Sequence, residues 1–543
     1  MNSFFHQLSD PIELTKKIPE QLKITLLSTY IIGTIAHFFC YTNVLFCHDA
    51  AAMYWEPASW SDSASSSRWL APIWNAVFHN IQLPWLEGIL TLFLYSLSAW
   101  LICELLNITR IIPTILTSGL LVTSPTAISS NHYLSSAHIY ATALLFACLA
   151  VFAFFKWKHG WFACFICLLI CEGSYAAYLN VALTLYLLVS IGDLSENKKK
   201  AKETLISHIK MLLTTVCSLS VTLITLKGIL FLFGGKLQGR IASATPQQAS
   251  DYISRLKTAV YDVLHFFAPN NGISYFQNQK LLYSLFIIGL GVSLLSFISL
   301  CYHNKLRSQP LNIILLLINF CCLPVAMNLI GIFFTSHTLM TFSYIMPWLF
   351  FLQTYEKTHL LKIHTTSKIL QYIYGPLILL LCFITIYTGC ILANASYMKA
   401  YANYESAIAL SNRIINHIER IDGYVPGETR VCFVGDTREY YSPYRSGFAI
   451  CDSLTGIGSE WWNTSLTYNF PLSSYIQQEL GITMNIMNPS GPMNVADCAY
   501  GVHVMDENIS EDAFADKLYS LDSFPKDNCY LWQWDIVLFK LSD

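Results

Sequence analysis

The 543-residue sequence predicts a polytopic α-helical membrane protein, with about eleven transmembrane helices in residues 1–393 and an extracytoplasmic α/β domain in residues 394–543. Three observations predict it. Charged residues make up 12% of the chain, against about 25% in soluble proteins. Apolar residues reach 54% and gather into stretches of the ~20 residues that a spanning helix needs. The charge is also uneven: residues 1–393 carry 23 basic and 15 acidic side chains, residues 394–543 carry 9 and 19. The net charge of −2 therefore conceals +8 on the apolar part and −10 on the tail, a balance that excludes nucleic acid as a partner.

The apolar stretches lie near 24–46, 83–106, 111–128, 138–155, 160–174, 176–192, 211–233, 281–301, 311–333, 338–354 and 369–393. The weakest of these stretches as spans are the pair 160–174 and 176–192, which meet at Glu172-Gly173-Ser174-Tyr175, and 111–128, which carries Pro113 and Pro125. Orientation follows from Lys and Arg in the short loops. A cytoplasmic N-terminus places sixteen on that side: Lys16, Lys17, Lys23, Arg110, Lys156, Lys158, Lys198, Lys199, Lys200, Lys202, Lys210, Lys305, Arg307, Lys357, Lys362 and Lys368. The opposite side receives Arg68 in its short loops, and five more basic residues in one long loop. With eleven spans, the acidic tail lies outside the cytoplasm. The first apolar run is too long for a signal peptide and no small-residue cleavage site follows it, so it reads as a retained span.

Thirteen of the seventeen cysteines sit in or beside apolar stretches, where a free thiol behaves as a small hydrophobe. Cys432, Cys451, Cys498 and Cys529 fall in the tail, where an oxidising compartment permits disulfides in any of three pairings.

Candidate chemistry concentrates in the two large outer loops, 47–82 and 234–280. The first opens His48-Asp49, continues Trp55-Glu56-Pro57 and Asp62, and closes Ser67-Arg68-Trp69-Leu70. Ionisable groups at a membrane face are functional candidates. Asp49 is the best placed: a carboxylate at the water–lipid boundary can take a proton from a soluble hydroxyl while a lipid-borne substrate lies alongside. Its alternative is an ordinary loop carboxylate paired with Arg68. Glu56 is the second candidate acid, and with Asp62 it also reads as a solvated loop residue. A divalent metal has room near Asp49 and Glu56, but His48 alone does not make a site.

Arg68 can grip a phosphate through its planar fork or snorkel to lipid head groups. The second loop supplies Lys236, Arg240, Arg255, Lys257 and Lys280, of which Lys236, Arg240 and Lys257 are the candidate phosphate ligands; general attraction to anionic lipid is the competing reading. Glu172, inside an apolar stretch, should face a cavity or be held by a structural hydrogen bond. Tyr175 beside it and His132 in a short outer loop are candidate sugar contacts. Glu87 and Glu104, near the ends of the second span, are secondary candidates.

In the tail, residues 404–421 read as an amphipathic helix carrying Ile408, Ile414, Ile415, Ile418 and Ile421, continuing the last span. Val431 to Val434 and Trp532 to Leu541 read as strands, and Gly435-Asp436 as a turn.

These features together resemble the polytopic serotype-converting O-antigen glucosyltransferases encoded in bacteriophage glucosylation cassettes. The stretches that carry the resemblance are Ser67-Arg68-Trp69-Leu70-Ala71-Pro72 and Gly173-Ser174-Tyr175-Ala176-Ala177-Tyr178. The layout of one carboxylate after the first span, an outer loop ending Arg-Trp-Leu and a C-terminal extracytoplasmic domain agrees over most of the chain. The resemblance implies a GT-C-like enzyme of the bacterial inner membrane. Such an enzyme takes glucose from a polyprenyl-phosphate donor and places it on the O-antigen of lipopolysaccharide at the periplasmic face. Asp49 would then be the base, and Arg68, Lys236, Arg240 and Lys257 the partners of the phosphate. Two other readings of the same layout are an O-antigen polymerase or ligase, which would carry its largest soluble piece between spans, and a lipid-linked sugar transporter or flippase, which would show repeated halves. A membrane anchor without catalysis would leave Asp49 and Arg68 without purpose.

Overall fold

The computed structural model describes residues 18–43, 59–79, 81, 83–237, 249–268, 279–333, 336–360, 366–435, 451, 454, 476–477, 480–487 and 494–542. These residues fall into two compact units that divide after Asn394. In the first, helices follow one another: α1 (Glu20–Thr42), the short α2 (Trp60–Ser65) and α3 (Ala71–Ala76), α4 (Pro84–Leu106), α5 (Ile111–Val122), α6 (Pro125–His132), α7 (Leu134–Lys156), α8 (Gly160–Tyr175), α9 (Leu179–Ser195) and α10 (Ala201–Phe233). Then come α11 (Ala249–Phe266), α12 (Lys280–His303), α13 (Pro310–Met327), α14 (Met346–Leu360) and the first part of α15 (Thr366–Ile418).

Among the described residues, each of the eleven apolar stretches is mostly helical, in keeping with a polytopic helical membrane protein. Among the described residues, eight helical stretches are long and apolar enough to cross a membrane, or nine when the bent pair α5 and α6 is taken as one. The difference from eleven has identifiable causes. The α5–α6 bend of 47° falls at Ser124-Pro125, where proline cannot continue the preceding helix. Thr338–Met340 and Phe342–Ile345 are 3₁₀ turns, which leaves α14 only 15 residues.

The stretch from Gly160 to Ser195 is one apolar run but two helices. Tyr175 is extended (φ −159°, ψ 102°) and a 3₁₀ turn, Ala176–Tyr178, follows. The run folds back there. At its start, Gly160 abuts the Ala153 carbonyl, and beyond the turn Tyr186 of α9 stacks on Phe155 at 5.3 Å, so both ends return to the C-terminal end of α7.

Loops that the charge rule assigns to a single side meet at one end of this unit. Arg110 pairs with Glu356 at 3.8 Å, Lys199 with Asp193 at 2.7 Å and the buried Lys357 with Glu196 at 3.5 Å. Lys199 also lies over the Phe155 ring at 4.6 Å. Asn304 donates to the Ser195 carbonyl at 2.9 Å, and Asn312 to the Lys199 carbonyl at 3.2 Å.

The second unit is built on a four-stranded sheet of order β2-β1-β4-β3. Its strands are β1 (Arg430–Val434), β2 (Asn485–Ile486), β3 (Tyr530–Gln533) and β4 (Ile536–Lys540); β1 runs parallel to β2 and β4, and β3 antiparallel to β4. Helix α15 continues without a break to Ile418, so that Ile414, Ile415 and Ile418 pack with Val431, Phe433, Val537 and Phe539 on one face of the sheet. On the other face, α16 (Val495–Met505) and α17 (Glu511–Tyr519) cover Cys432, Val434, Ile536 and Leu538. The expected single strand from Trp532 to Leu541 is a hairpin. Its two-residue connection, Trp534-Asp535, holds Trp534 at φ +56°, the left-handed geometry that tight hairpins demand. The expected turn at Gly435 has φ +82°, and any Cβ there would strike Ser542 backbone atoms at 2.3 Å.

Candidate functional site

The two stretches that carry the resemblance touch. After α2, Ser67 takes a left-handed conformation (φ 63°) and Arg68 returns its N–H to the Ser63 carbonyl at 2.8 Å, turning the chain inward. Leu70 then donates its N–H to the Gly173 carbonyl at 2.9 Å. Trp74 of α3 donates its indole N–H to Ser174 Oγ at 2.9 Å. A Cβ on Gly173 would sit 2.5 Å from Trp69 Cε2 and 2.9 Å from Leu70 Cδ1, so glycine is what admits the Trp69 ring against α8.

This docking places Arg68. Its guanidinium lies 5.3 Å from the Tyr175 ring centroid and 5.6 Å from that of Tyr140 on α7, while the two tyrosines meet edge to face at 4.8 Å. Such contacts contribute about 0.5–2 kcal/mol each where water is excluded. Their larger effect is to fix a planar, permanently charged fork in one orientation. Arg68 is half-buried. Tyr140 was not singled out in the sequence, where nothing separates it from the other thirty tyrosines.

Lys236 belongs to the same neighbourhood. Leu230 near the end of α10 clusters with Ala64 of α2, and Trp69 and Leu237 pack against them; Lys236 is exposed beside Leu237. Lys257 is exposed on α11, whose buried Val263 and Phe266 pack on Met327 and Tyr344. Asp49, Glu56 and Arg240 lie outside the described residues.

The remaining candidates divide. Asp62 is a helix-capping acid: Ser59 Oγ accepts from the Asp62 N–H at 2.9 Å and donates to the Asp62 carboxylate at 2.7 Å. Glu172 is fully buried, and its two carboxylate oxygens accept from Ser218 Oγ and Thr222 Oγ1 of α10, each at 2.7 Å. Of the two readings its sequence position allows, this geometry is the structural one, tying α8 to α10. Tyr175 stands directly at Arg68. His132 is buried at the end of α6, edge-on to Tyr133 with ring centroids 6.0 Å apart. His138 packs edge-on to Phe78 at 4.8 Å. Among the described residues, no group of three or more His, Cys, Asp or Glu side chains is arranged to hold a metal ion.

No curated protein and no solved structure matches this chain. A family model described as glucosyl transferase GtrII does, over residues 38–354. That range contains both docked stretches, the Arg68–Tyr140–Tyr175 cluster and every helix from α4 to α13. With more than half of its length matched, the chain belongs to the GtrII glucosyltransferase family.

Proposed function

We propose that this glucosyltransferase moves glucose from a polyprenyl-phosphate donor to a sugar of the O-antigen repeat, at the periplasmic face of the bacterial inner membrane. The C-terminal unit then lies on that same side. The acceptor hydroxyl oxygen attacks the anomeric carbon, the bond from that carbon to the phosphate oxygen breaks, and polyprenyl phosphate leaves with the electron pair. Asp49 takes the hydroxyl proton, with Glu56 as the second acid of the loop. Arg68, with Lys236, Arg240 and Lys257 from the second loop, stabilises the charge gathering on the phosphate. A single displacement inverts the anomeric centre, so a β-linked donor gives an α-linked branch.

The observation that carries the reading is Arg68, braced by Tyr140 and Tyr175 and docked on Gly173 through its own loop, inside the region of family membership. A membrane protein that only snorkels an arginine to head groups has no need to hold it between two rings from separate helices. The basic excess on loops at one end of the first unit supports the orientation.

The test is to incubate the purified protein with polyprenyl-phosphate glucose and O-antigen acceptors, measuring glucosylated product and released polyprenyl phosphate. Wild type should transfer, and Asp49→Asn, inserted normally, should fall by a factor of about 10² or more. Full transfer by that variant removes Asp49 from the role of base. Absence of transfer by a folded wild type removes the donor assignment.

A further inference from the structure

Next to Arg68, the first unit buries polar side chains that its packing does not use. Glu87, Thr91 and Tyr95 follow at four-residue intervals on α4 and so stand above one another on one face; they are 2%, 0% and 0% exposed. One carboxylate oxygen of Glu87 faces the Leu83 backbone N–H at the start of the helix. Among the described residues the other, Oε2, has no hydrogen-bond partner, and neither has Thr91 Oγ1. From α6, Ser130 faces the same region: the phenols of Tyr95 and Tyr178 both approach it, yet no hydrogen bond of normal geometry forms at any of the three hydroxyls. At the Glu87 end, Tyr41 packs on Gly88 and donates to Asn131, the neighbour of Ser130.

The cluster has an apolar wall and a charged edge. Phe342 lies 6.0 Å from the Tyr95 ring and 5.6 Å from the Tyr178 ring. Tyr178 meets Tyr175 at 5.6 Å, and Tyr175 is one of the two rings beneath Arg68. Buried polar groups in folded proteins are hydrogen-bonded almost without exception, and an apolar core of the same shape would be more stable. Two buried groups without a partner among the described residues, Glu87 Oε2 and Thr91 Oγ1, and three hydroxyls that meet only in poor geometry therefore keep hydrogen-bonding capacity for a polar guest, one ring away from the arginine.

We propose that Glu87, Thr91, Tyr95, Ser130 and Tyr178 form a pyranose-binding subsite, adjoining Arg68. The free carboxylate oxygen accepts from sugar hydroxyls, the phenols and Ser130 donate and accept, and Phe342 offers an aromatic face to the ring's C–H bonds. The inference rests on the reading of Arg68 as a phosphate ligand. The pyranose is either the glucosyl group of the donor or the acceptor residue of the O-antigen.

The experiment compares full-length wild type, Glu87→Gln, Tyr95→Phe and Arg68→Gln in lipid nanodiscs. Equilibrium binding of polyprenyl-phosphate glucose is measured against polyprenyl phosphate without sugar, together with KM for donor and for acceptor. If the donor glucose occupies the subsite, wild type prefers the sugar-bearing lipid, and Glu87→Gln and Tyr95→Phe lose about tenfold in that preference while binding the bare phosphate as before; Arg68→Gln weakens both lipids. If the acceptor occupies it, the donor preference is untouched and the acceptor KM rises about tenfold in the same two variants. Folded variants with lipid preference and both KM values within twofold of wild type overturn the subsite. A wild type that binds the lipid with sugar-dependent affinity but transfers nothing overturns the proposed reaction and leaves the subsite standing.

Discussion

Leu70 gives its backbone N–H to the carbonyl of Gly173, 103 positions later in the sequence, at 2.9 Å. This bond joins the segment between α2 and α3 to the last turn of α8, and contacts that orient Arg68 gather around it: the Trp69 ring against Gly173, the Trp74 indole on Ser174, and the Tyr175 ring under the guanidinium.

Gly173→Ala tests that dependence. A methyl group would meet Trp69 Cε2 at 2.5 Å and Cζ2 at 2.7 Å, which forces the indole and its loop outward. Small-to-large changes in packed interiors cost about 1–3 kcal/mol, so the bundle should still insert. Transfer should nevertheless fall at least tenfold, because an arginine displaced by an ångström no longer meets the phosphate. Normal activity in Gly173→Ala would show that the docking of the two stretches is incidental to catalysis.

Glu172→Gln separates structure from chemistry. The carboxylate accepts two hydrogen bonds from α10, and a glutamine has only one oxygen to accept with, so one hydroxyl must turn away. The expected result is a lower melting temperature in detergent, by an amount corresponding to about 1–3 kcal/mol, with KM for donor and acceptor unchanged. A change in either KM without loss of thermal stability would put Glu172 back among the site residues.

How far the sequence reaches can be read from these same residues. Hydropathy located the apolar helices because lipid requires long apolar runs whatever the packing partners, but it divided them into eleven spans where eight or nine are long enough to cross among the described residues; it set one boundary at residues 172–175, where polar residues interrupt an apolar run. Arg68 was legible through its loop position. Tyr140 and the Glu87–Thr91–Tyr95 face were not, since their meaning comes from which helix lies opposite, and a periodicity within one helix carries no information about its neighbour. The hairpin at Trp534-Asp535 was missed for a local reason: neither residue belongs to the Asn-Gly or Asp-Gly pairs that usually mark such turns.

The cysteines of the second unit make a sharper statement than their count. Cys432 on β1 and Cys498 on α16 belong to one buried cluster with their thiols hydrogen-bonded to one another. Cys529 belongs to the other face, with its sulfur 3.5 Å from His417 Nε2. Of the three possible pairings, the fold therefore favours the one that joins Cys432 to Cys498. Oxidation with glutathione disulfide, followed by non-reducing peptide mapping, should recover that link and leave Cys529 reduced. Burial pushes the Cys529 thiol up to about 11, so it stays protonated and resists iodoacetamide at pH 8, its alkylation rising only as pH approaches that value. Recovery of a link involving Cys529 would mean that the sheet faces are not as described.

Lys540 closes the same unit from within. It is the last residue of β4, 1% exposed, and its ammonium donates to the carbonyls of Leu518 at 3.1 Å, Tyr519 at 3.3 Å and Leu521 at 2.9 Å. The first two carbonyls end α17, where the helix leaves acceptors without intrahelical donors and the dipole favours a cation, and the third follows its C-cap. Lys540→Met keeps the length and apolar stem of the side chain but removes all three donors. Two effects then oppose: the buried charge is no longer desolvated, and three buried carbonyls lose their partner. The carbonyls outweigh the relief, because the ammonium is fully hydrogen-bonded where it stands and the acceptors cannot reach water without unwinding the end of α17. The expected loss is about 1–3 kcal/mol, confined to the C-terminal unit. Hydrogen exchange would check this directly: amides of α17 and of β4 should exchange faster in the variant while those of α7 and α8 keep their wild-type protection. Unchanged protection at α17 would mean that water replaces the lysine without cost.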